Sequence, residues 1–302
     1  MSRIFIVINL TGFVFYFVGC KNIATESSSP TRKPGNSILW EISSESSPLK
    51  SFLYGTIHIQ DKRVFSFDAI VQNSFQNADI LAVEIELDRI DFATIMEVTT
   101  MKDSTLKQLL APDEYELLEK RYKEITGASL QSAQMVKPFF LSSNVVKELS
   151  KSDYPIPLDL YFIKQARQHG KTVVGLETLE EQVSLIDRLS YSEQARMLLK
   201  SLADTVDIQQ QFDQLLEVYL AMDGDSLLKI VSSDPSIPEE FMIEMLHARN
   251  VLMANRLEKL LKGHSVFCAV GAAHLFGDTG IIELLRQKGF VLRPVEFEFI
   301  QQ

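Results

Sequence analysis

The sequence predicts an α/β fold, with a central mixed β-sheet built from two pseudo-symmetric βαβ-like halves and a large helical insertion between them. Three observations carry this expectation. The segments "FLYGTIHIQD" and "FCAVGAAHLFGD" each end an apolar run on Gly-x-x-His and then reach an Asp. Each is followed by a run of helical period and a second apolar run, the order strand–turn–helix–strand. Between the two, roughly residues 90–235 read mostly as amphipathic helix.

The elements follow in chain order. "MSRIFIVINLTGFVFYFVGCKN" has a basic start at Arg3, a short apolar run and a Gly19-Cys20 ending. That is the layout of a signal peptide over residues 1–19, with a lipobox-like end that makes Cys20 the lipidated first residue of the mature chain. The alternatives, an uncleaved anchor or an ordinary signal, also place the body outside the cytoplasm. Residues 20–37 contain "ATESSSPTRKPGNS", rich in Ser, Pro and Gly, and read as a flexible tether. The globular domain is expected over 38–300. Apolar runs at 38–42 and 51–59 flank a turn-like "SSESSP", as in a hairpin. "VFSFDAIVQNSFQNA" has helical spacing, and "DILAVEIELD" (79–88) reads as a buried strand closed by acidic residues. "APDEYELLEKRYKEITG" carries an acidic first turn and a terminal Gly127, the start and stop signals of a helix. "PLDLYFIKQARQHG" is a helix stopped by Gly170, and the strand 172–177 follows. "YSEQARMLLKSLADTVDIQQQFDQLLEVYLAMD" reads as a solvated helical hairpin over the sheet or as a lid over a groove. A helix from "PEEFMIEMLHARN" to Gly263 leads into the strand 265–273, then a helix stopped by Gly289 and a last strand at 291–297.

Composition excludes some partners. The formal net charge is −10, with no basic run, so nucleic acid is not an expected ligand. There are two cysteines, and Cys268 lies in the apolar "SVFCAVGAA", the setting of a small buried hydrophobe. A lipidated Cys20 could not pair with it.

Ligands of such sheets bind at the carboxyl ends of strands, where loops meet helices. Both Gly-x-x-His segments sit at such ends, as do Glu84 and Glu177. Gly55 and Gly271 permit a close bend, which aims His58 and His274 at one point. Two imidazoles and a carboxylate form a ligand set for Zn, Mn, Co or Fe, with open positions for water and substrate. The bland reading is two ordinary turn histidines. The chain has five histidines. His169 reads as a helix-end cap, His264 as solvated and His247 as packed, with a supporting role at the site as its sharper reading. Arg249, beside Asn250, reads either as a carboxylate or oxyanion binder or, as sequence alone favours, as a surface partner of Glu240 or Glu244.

With those residues assembled, the chain resembles the TraB/GumN family, which includes the Tiki metalloproteases. "FLYGTIHIQD", "ADILAVEIELD", "TLKQLLAPDEYELL", "KPFFLSS", "PLDLYFIKQARQHGKTVVGLETLEEQ", "ARNVLMANRLEKLL" and "FCAVGAAHLFGDTGIIELLRQKGFVLRPV" carry the resemblance in family order. It implies a fold related to erythromycin esterase and ChaN-like proteins. It also implies a site in which His58, His274 and Glu84 bind a divalent metal (Mn, Co or Zn), Glu84 being third ligand or general base. Arg249 and Asn250 match the family's Arg-Asn pair and are implied in catalysis, Arg249 stabilising an oxyanion. Asp159 and Glu177 fall in matching segments as supporting residues. The second motif is "GAAH" where many members have Gly-x-Gly-His, so Ala273 removes some backbone freedom. The implied activity is metal-dependent hydrolysis of a peptide or protein substrate by a membrane-anchored lipoprotein, in the outer membrane or periplasm if the host has two membranes. Two rivals remain: a peptide-sequestering protein without chemistry, and a metal-independent, esterase-like hydrolase.

Overall fold

The computed structural model describes residues 36–45, 47–150, 153–203, 205–232 and 239–300. The expected signal peptide, Cys20 and the expected tether up to residue 35 lie outside the described residues. No helix among the described residues is long and apolar enough to cross a membrane.

The expected hairpin forms from β1 (Leu39–Ser44) and β2 (Ser47–Thr56), antiparallel with Leu39 opposite Tyr54. A 3-10 turn at Lys62–Phe65 follows, then α1 (Ala69–Asn77) and β3 (Ile80–Val83). Helix α1 starts later than the apolar period suggests because Asp68 caps it, its Oδ1 accepting from the Ile70 N–H at 2.8 Å. The insertion continues with α2 (Phe92–Thr99), α3 (Leu106–Leu109), α4 (Pro112–Thr126), α5 (Pro138–Leu149) and α6 (Leu158–Gln168). Gly127 ends α4 in the left-handed region at φ 70°, a conformation a Cβ would oppose. After β4 (Thr172–Gly175) come α7 (Leu179–Ile186), α8 (Tyr191–Ala203), α9 (Thr205–Leu220), α10 (Gly224–Ser232), α11 (Glu239–Ile243) and α12 (Arg249–Leu261). The chain closes with β5 (Val266–Gly271), α13 (Ile281–Gln287) and β6 (Val291–Pro294).

The six strands lie in the order β4-β3-β5-β2-β1-β6. β2, β3, β4 and β5 are mutually parallel, while β1 runs antiparallel to both β2 and β6. The two crossovers interleave: β2–α1–β3 passes over β5, and β5–α13–β6 passes over β2 and β1. They use opposite faces. Phe267 and Ala269 of β5 join α1, α6, α9 and α10 in one core, while Val266, Cys268 and Val270 join α12 and α13 in the other. Period-two alternation along a doubly covered strand dictates this split. Tyr54, Phe67, Phe75, Phe162 and Phe267 fill the first core with ring centroids 5.3–6.2 Å apart in edge, tilted and stacked pairs. Cys268 is wholly buried and its thiol is pushed up by burial, as a small core hydrophobe requires.

Three departures from the sequence reading matter for the site. Strands expected to run to residues 88, 177 and 273 stop at Val83, Gly175 and Gly271, because their last residues leave the sheet to build loops. The run 191–223 is not one hairpin over the sheet: α8 packs with α3, α4 and α5, and α9 reaches the sheet's core. The helix around Arg249 is not regular, since Glu244–Ala248 form a π-helical turn just before it.

Candidate functional site

Because the four parallel strands share one direction, their carboxyl ends meet along one edge. Thr56 at the end of β2 lies opposite Gly271 of β5, and Val83 of β3 lies opposite both Ala269 and Gly175. The residues just beyond these points are His58, Glu84, Glu177 and His274. Gly55 is glycine because the two histidine loops touch there: a Cβ on it would stand 2.9 Å from the Ala272 Cβ and 3.0 Å from its Cα.

Each histidine is held by its Nδ1. His58 Nδ1–H donates to Asp159 Oδ2 at 2.6 Å, and Asp159 Oδ1 accepts from the Thr56 hydroxyl at 2.5 Å. Asp159 sits in the first turn of α6, where the helix dipole favours a carboxylate. Arg167, further along α6, ties that helix to Glu86 and Asp88 just after β3. His274 Nδ1 stands 2.6 Å from Asn250 Oδ1, and Asn250 Nδ2 donates to the Thr279 carbonyl at 2.9 Å. That second bond fixes which end of the amide is oxygen, so His274 Nδ1 must carry the proton. In both rings the neutral form therefore bears its lone pair on Nε2. Thr56, the last residue of β2, and His58, in the loop just beyond it, meet through the one Asp159 carboxylate.

Glu84 lies between. Its Oε1 accepts from the Gly271 N–H at 2.7 Å and stands 3.9 Å from His274 Nε2; its Oε2 accepts from Arg249 Nη2 at 2.7 Å. Arg249 also grips Glu177, with Nε 3.0 Å and Nη2 2.7 Å from Oε2. Gln182 on α7 donates to Glu177 at 3.0 Å. Arg249 is 1% exposed, so the surface pairing expected for it is overturned; Glu244 instead meets Arg188. The π-helical turn ahead of α12 sets consecutive residues to separate tasks, Arg249 on the two glutamates and Asn250 on His274. Two turns on, Arg256 holds Glu181 and the Leu176 carbonyl, strapping α12 to the corner after β4.

The electrostatics follow from these contacts. Burial alone would lower the His58 pKa, but the Asp159 charge and hydrogen bond, helped by Glu84, raise it to about 9. Burial would raise that of Glu84, but Arg249, then His274 and His58, and the Gly271 N–H hold it down at about 2. His274 falls to about 3, chiefly through burial and then Arg249. Asp159, Glu84 and Glu177 are 6%, 7% and 4% exposed, and with the one guanidinium they leave a buried formal charge of −2 when the imidazoles are neutral.

The remaining histidines stand apart. His247 and His264 are exposed, so the packing expected of His247 is corrected, and His169 caps α6 through the Gln165 carbonyl at 2.7 Å. The two motif aspartates are unlike: Asp61 is buried against Arg63, and Asp278 is exposed.

A divalent ion fits this donor set in chemistry. Two imidazoles have their Nδ1 ends fixed by an acceptor, a carboxylate lies beside them, and the surplus of buried negative charge matches a dication. Among the described residues no group of three His, Cys, Asp or Glu side chains is gathered tightly enough to hold a metal as it stands.

Beside His58 opens an apolar cleft of about 460 Å³, part of it in open solvent, between the end of β2, the turn at Ala272–Ala273 and helices α9 and α10.

Comparison with known proteins gives the chain's kinship. Residues 38–294 match the TraB/PrgY/gumN family. The chain is 26% identical to metalloprotease TIKI1 of Danio rerio over 84% of its own length and 62% of that protein's. It is 24% identical to metalloprotease TIKI2 of the same organism, over 91% of this chain and 65% of that one. It is also 24% identical to the uncharacterized protein YbaP of Shigella flexneri, over 78% of this chain and 88% of that protein. The chain thus spans just under two thirds of these TIKI proteins. No solved structure matches it. With the match covering nearly all of the described fold and both histidine loops, the chain belongs to the TraB/PrgY/gumN family.

Proposed function

We propose that the chain is a metal-dependent hydrolase of peptide bonds, held outside the cytoplasm by a lipid on Cys20. The observation that carries the reading is the pair of imidazoles, fixed through Nδ1 by Asp159 and Asn250, around Glu84 in a pocket of net negative charge. The names of the TIKI relatives support the same chemistry.

In this reading His58 and His274 hold the ion through Nε2. Glu84 serves as third ligand or as general base; Arg249 and the Gly271 N–H, each 2.7 Å from it, favour its ionised form, which suits either role. A bound divalent ion supplies Lewis-acid polarisation of the scissile carbonyl and acidifies a water. Asp159 orients His58, Asn250 fixes the tautomer of His274, and Arg249 keeps Glu84 and Glu177 together. Arg249 Nη1, buried with no hydrogen bond among the described residues, is the donor left for a substrate oxygen.

The test is a peptide library incubated with wild type and His274→Ala, with and without Mn. Mn-dependent cleavage by wild type alone is the expected result. Equal cleavage by both proteins ends the proposal, and tight peptide binding by metal-free protein without cleavage favours the sequestering rival. Labelled palmitate incorporated by wild type but not by Cys20→Ser tests the anchor.

A further inference from the structure

Apart from Thr56 and His58 itself, the residues lining the cleft beside His58 lie outside the hydrogen-bond networks that hold the imidazoles, and its chemistry is distinctive. Its lining includes Ile57, Ile59, Leu215, Leu227 and Val231, together with Ala272 and Ala273 of the turn that leads into His274. The hydroxyls on its wall are already engaged. Thr56 donates to Asp159 at 2.5 Å, and Tyr219 donates to the Gly55 carbonyl at 2.8 Å. His58, at its edge, gives its Nδ1–H to Asp159. A polar side chain entering the cleft would lose water and find little to bond, whereas a hydrocarbon one would lose nothing.

From this geometry we infer that the cleft is the specificity pocket of the site, taking one bulky aliphatic or aromatic side chain of the peptide next to the bond presented to His58 and His274. The inference rests on the peptide-directed reading above and adds the substrate class. Two of its walls come from α9 and α10, so the helical insertion shapes selectivity while the strand ends carry the chemistry. Val231 lies on the wall contributed by α10 and belongs to none of the hydrogen-bond networks that hold the histidines.

The experiment is a methyl-detected NMR titration of the full chain, metal-free and with Mn replaced by diamagnetic Zn. The probes are N-acetyl-leucine amide, N-acetyl-phenylalanine amide, N-acetyl-alanine amide and N-acetyl-aspartate amide. The leucine and phenylalanine probes are expected to shift the Ile57, Ile59, Leu215, Leu227 and Val231 methyls. The alanine probe should bind about 50-fold more weakly, since each buried methylene is worth roughly fourfold. Val231→Phe should abolish binding of the large probes, and Val231→Ala should retain it. If Val231→Phe fails to fold, as its methyl spectrum would show, the probe series and Val231→Ala still decide. Equal binding of the leucine, alanine and aspartate probes overturns the inference, as does a response confined to methyls elsewhere. Because the titration needs no turnover, a chain that binds the large probes but never cleaves peptides would sink the hydrolase reading and leave the pocket standing.

Discussion

Replacing Arg249 by Met tests the charge arrangement at its centre. The guanidinium is 1% exposed and bonds to two carboxylates that are 7% and 4% exposed, at 2.7 Å each. Methionine keeps the stem's apolar packing and removes the charge, leaving Glu84 and Glu177 facing each other without a counter-ion. Breaking a buried pair from one side costs about 3–5 kcal/mol, most of it the penalty of the abandoned charge. For a domain of this size that is a fall in Tm of roughly 6–12 °C. The assay is chemical and thermal unfolding of chelator-treated protein by circular dichroism, so that no bound ion compensates. The double variant Arg249→Met/Glu177→Gln removes one of the stranded charges and should recover at least about 1 kcal/mol relative to the single one, a coupling typical of directly contacting residues. If Arg249→Met loses less than about 1 kcal/mol, or the double variant is no more stable, the buried triad is not a coupled unit and the reasoning fails.

Other predictions concern the loops around it. In chelator-treated protein, the His58 pair with Asp159 stabilises the fold by about 3 kcal/mol below pH 6.5, because the folded pKa is raised to about 9. That contribution should fade as pH rises through about 9, and Asp159→Asn should flatten this limb of the stability curve. Gly55→Val should cost about 1–3 kcal/mol by pressing the β2 end into Ala272, and should weaken ion binding as well, since it drives the two histidine loops apart. Arg256→Gln, by contrast, breaks a pair that is 35% and 36% exposed and should cost about 1 kcal/mol or less by urea unfolding. A loss as large as that of Arg249→Met would show that the strap matters more than its exposure implies.

Much of the site was legible in sequence because its parts sit at strand ends, and strand ends are marked. "GTIH" and "GAAH" close apolar runs, and Glu84 and Glu177 close two others, so four loops could be placed at one edge before any pairing was known. Pairing order was not legible. That β5 lies between β2 and β3 depends on contacts across the whole chain, to which periodicity is blind. Sequence alone makes Arg249 a surface residue, because an amphipathic helix with nearby glutamates ordinarily pairs along its own face. Its partners come instead from β3 and β4 loops, 165 and 72 residues away in sequence. The π-helical turn left no composition signal, since "EMLHA" is a good α-helical stretch. Asp61 and Asp278, which made the two motifs look alike, have unrelated surroundings, so the likeness between the loops ends at the histidines.

The most direct measurement is Mn titration of chelator-stripped protein, followed by loss of the free-ion electron paramagnetic resonance signal, for wild type, His58→Ala and His274→Ala. A composite site spanning both loops predicts one ion per chain in wild type and a loss of at least tenfold in affinity in either variant, because each imidazole supplies one ligand to the same ion. Circular dichroism should show all three folded. An unchanged affinity in either variant, or a folded wild type that binds no ion at all, would contradict it.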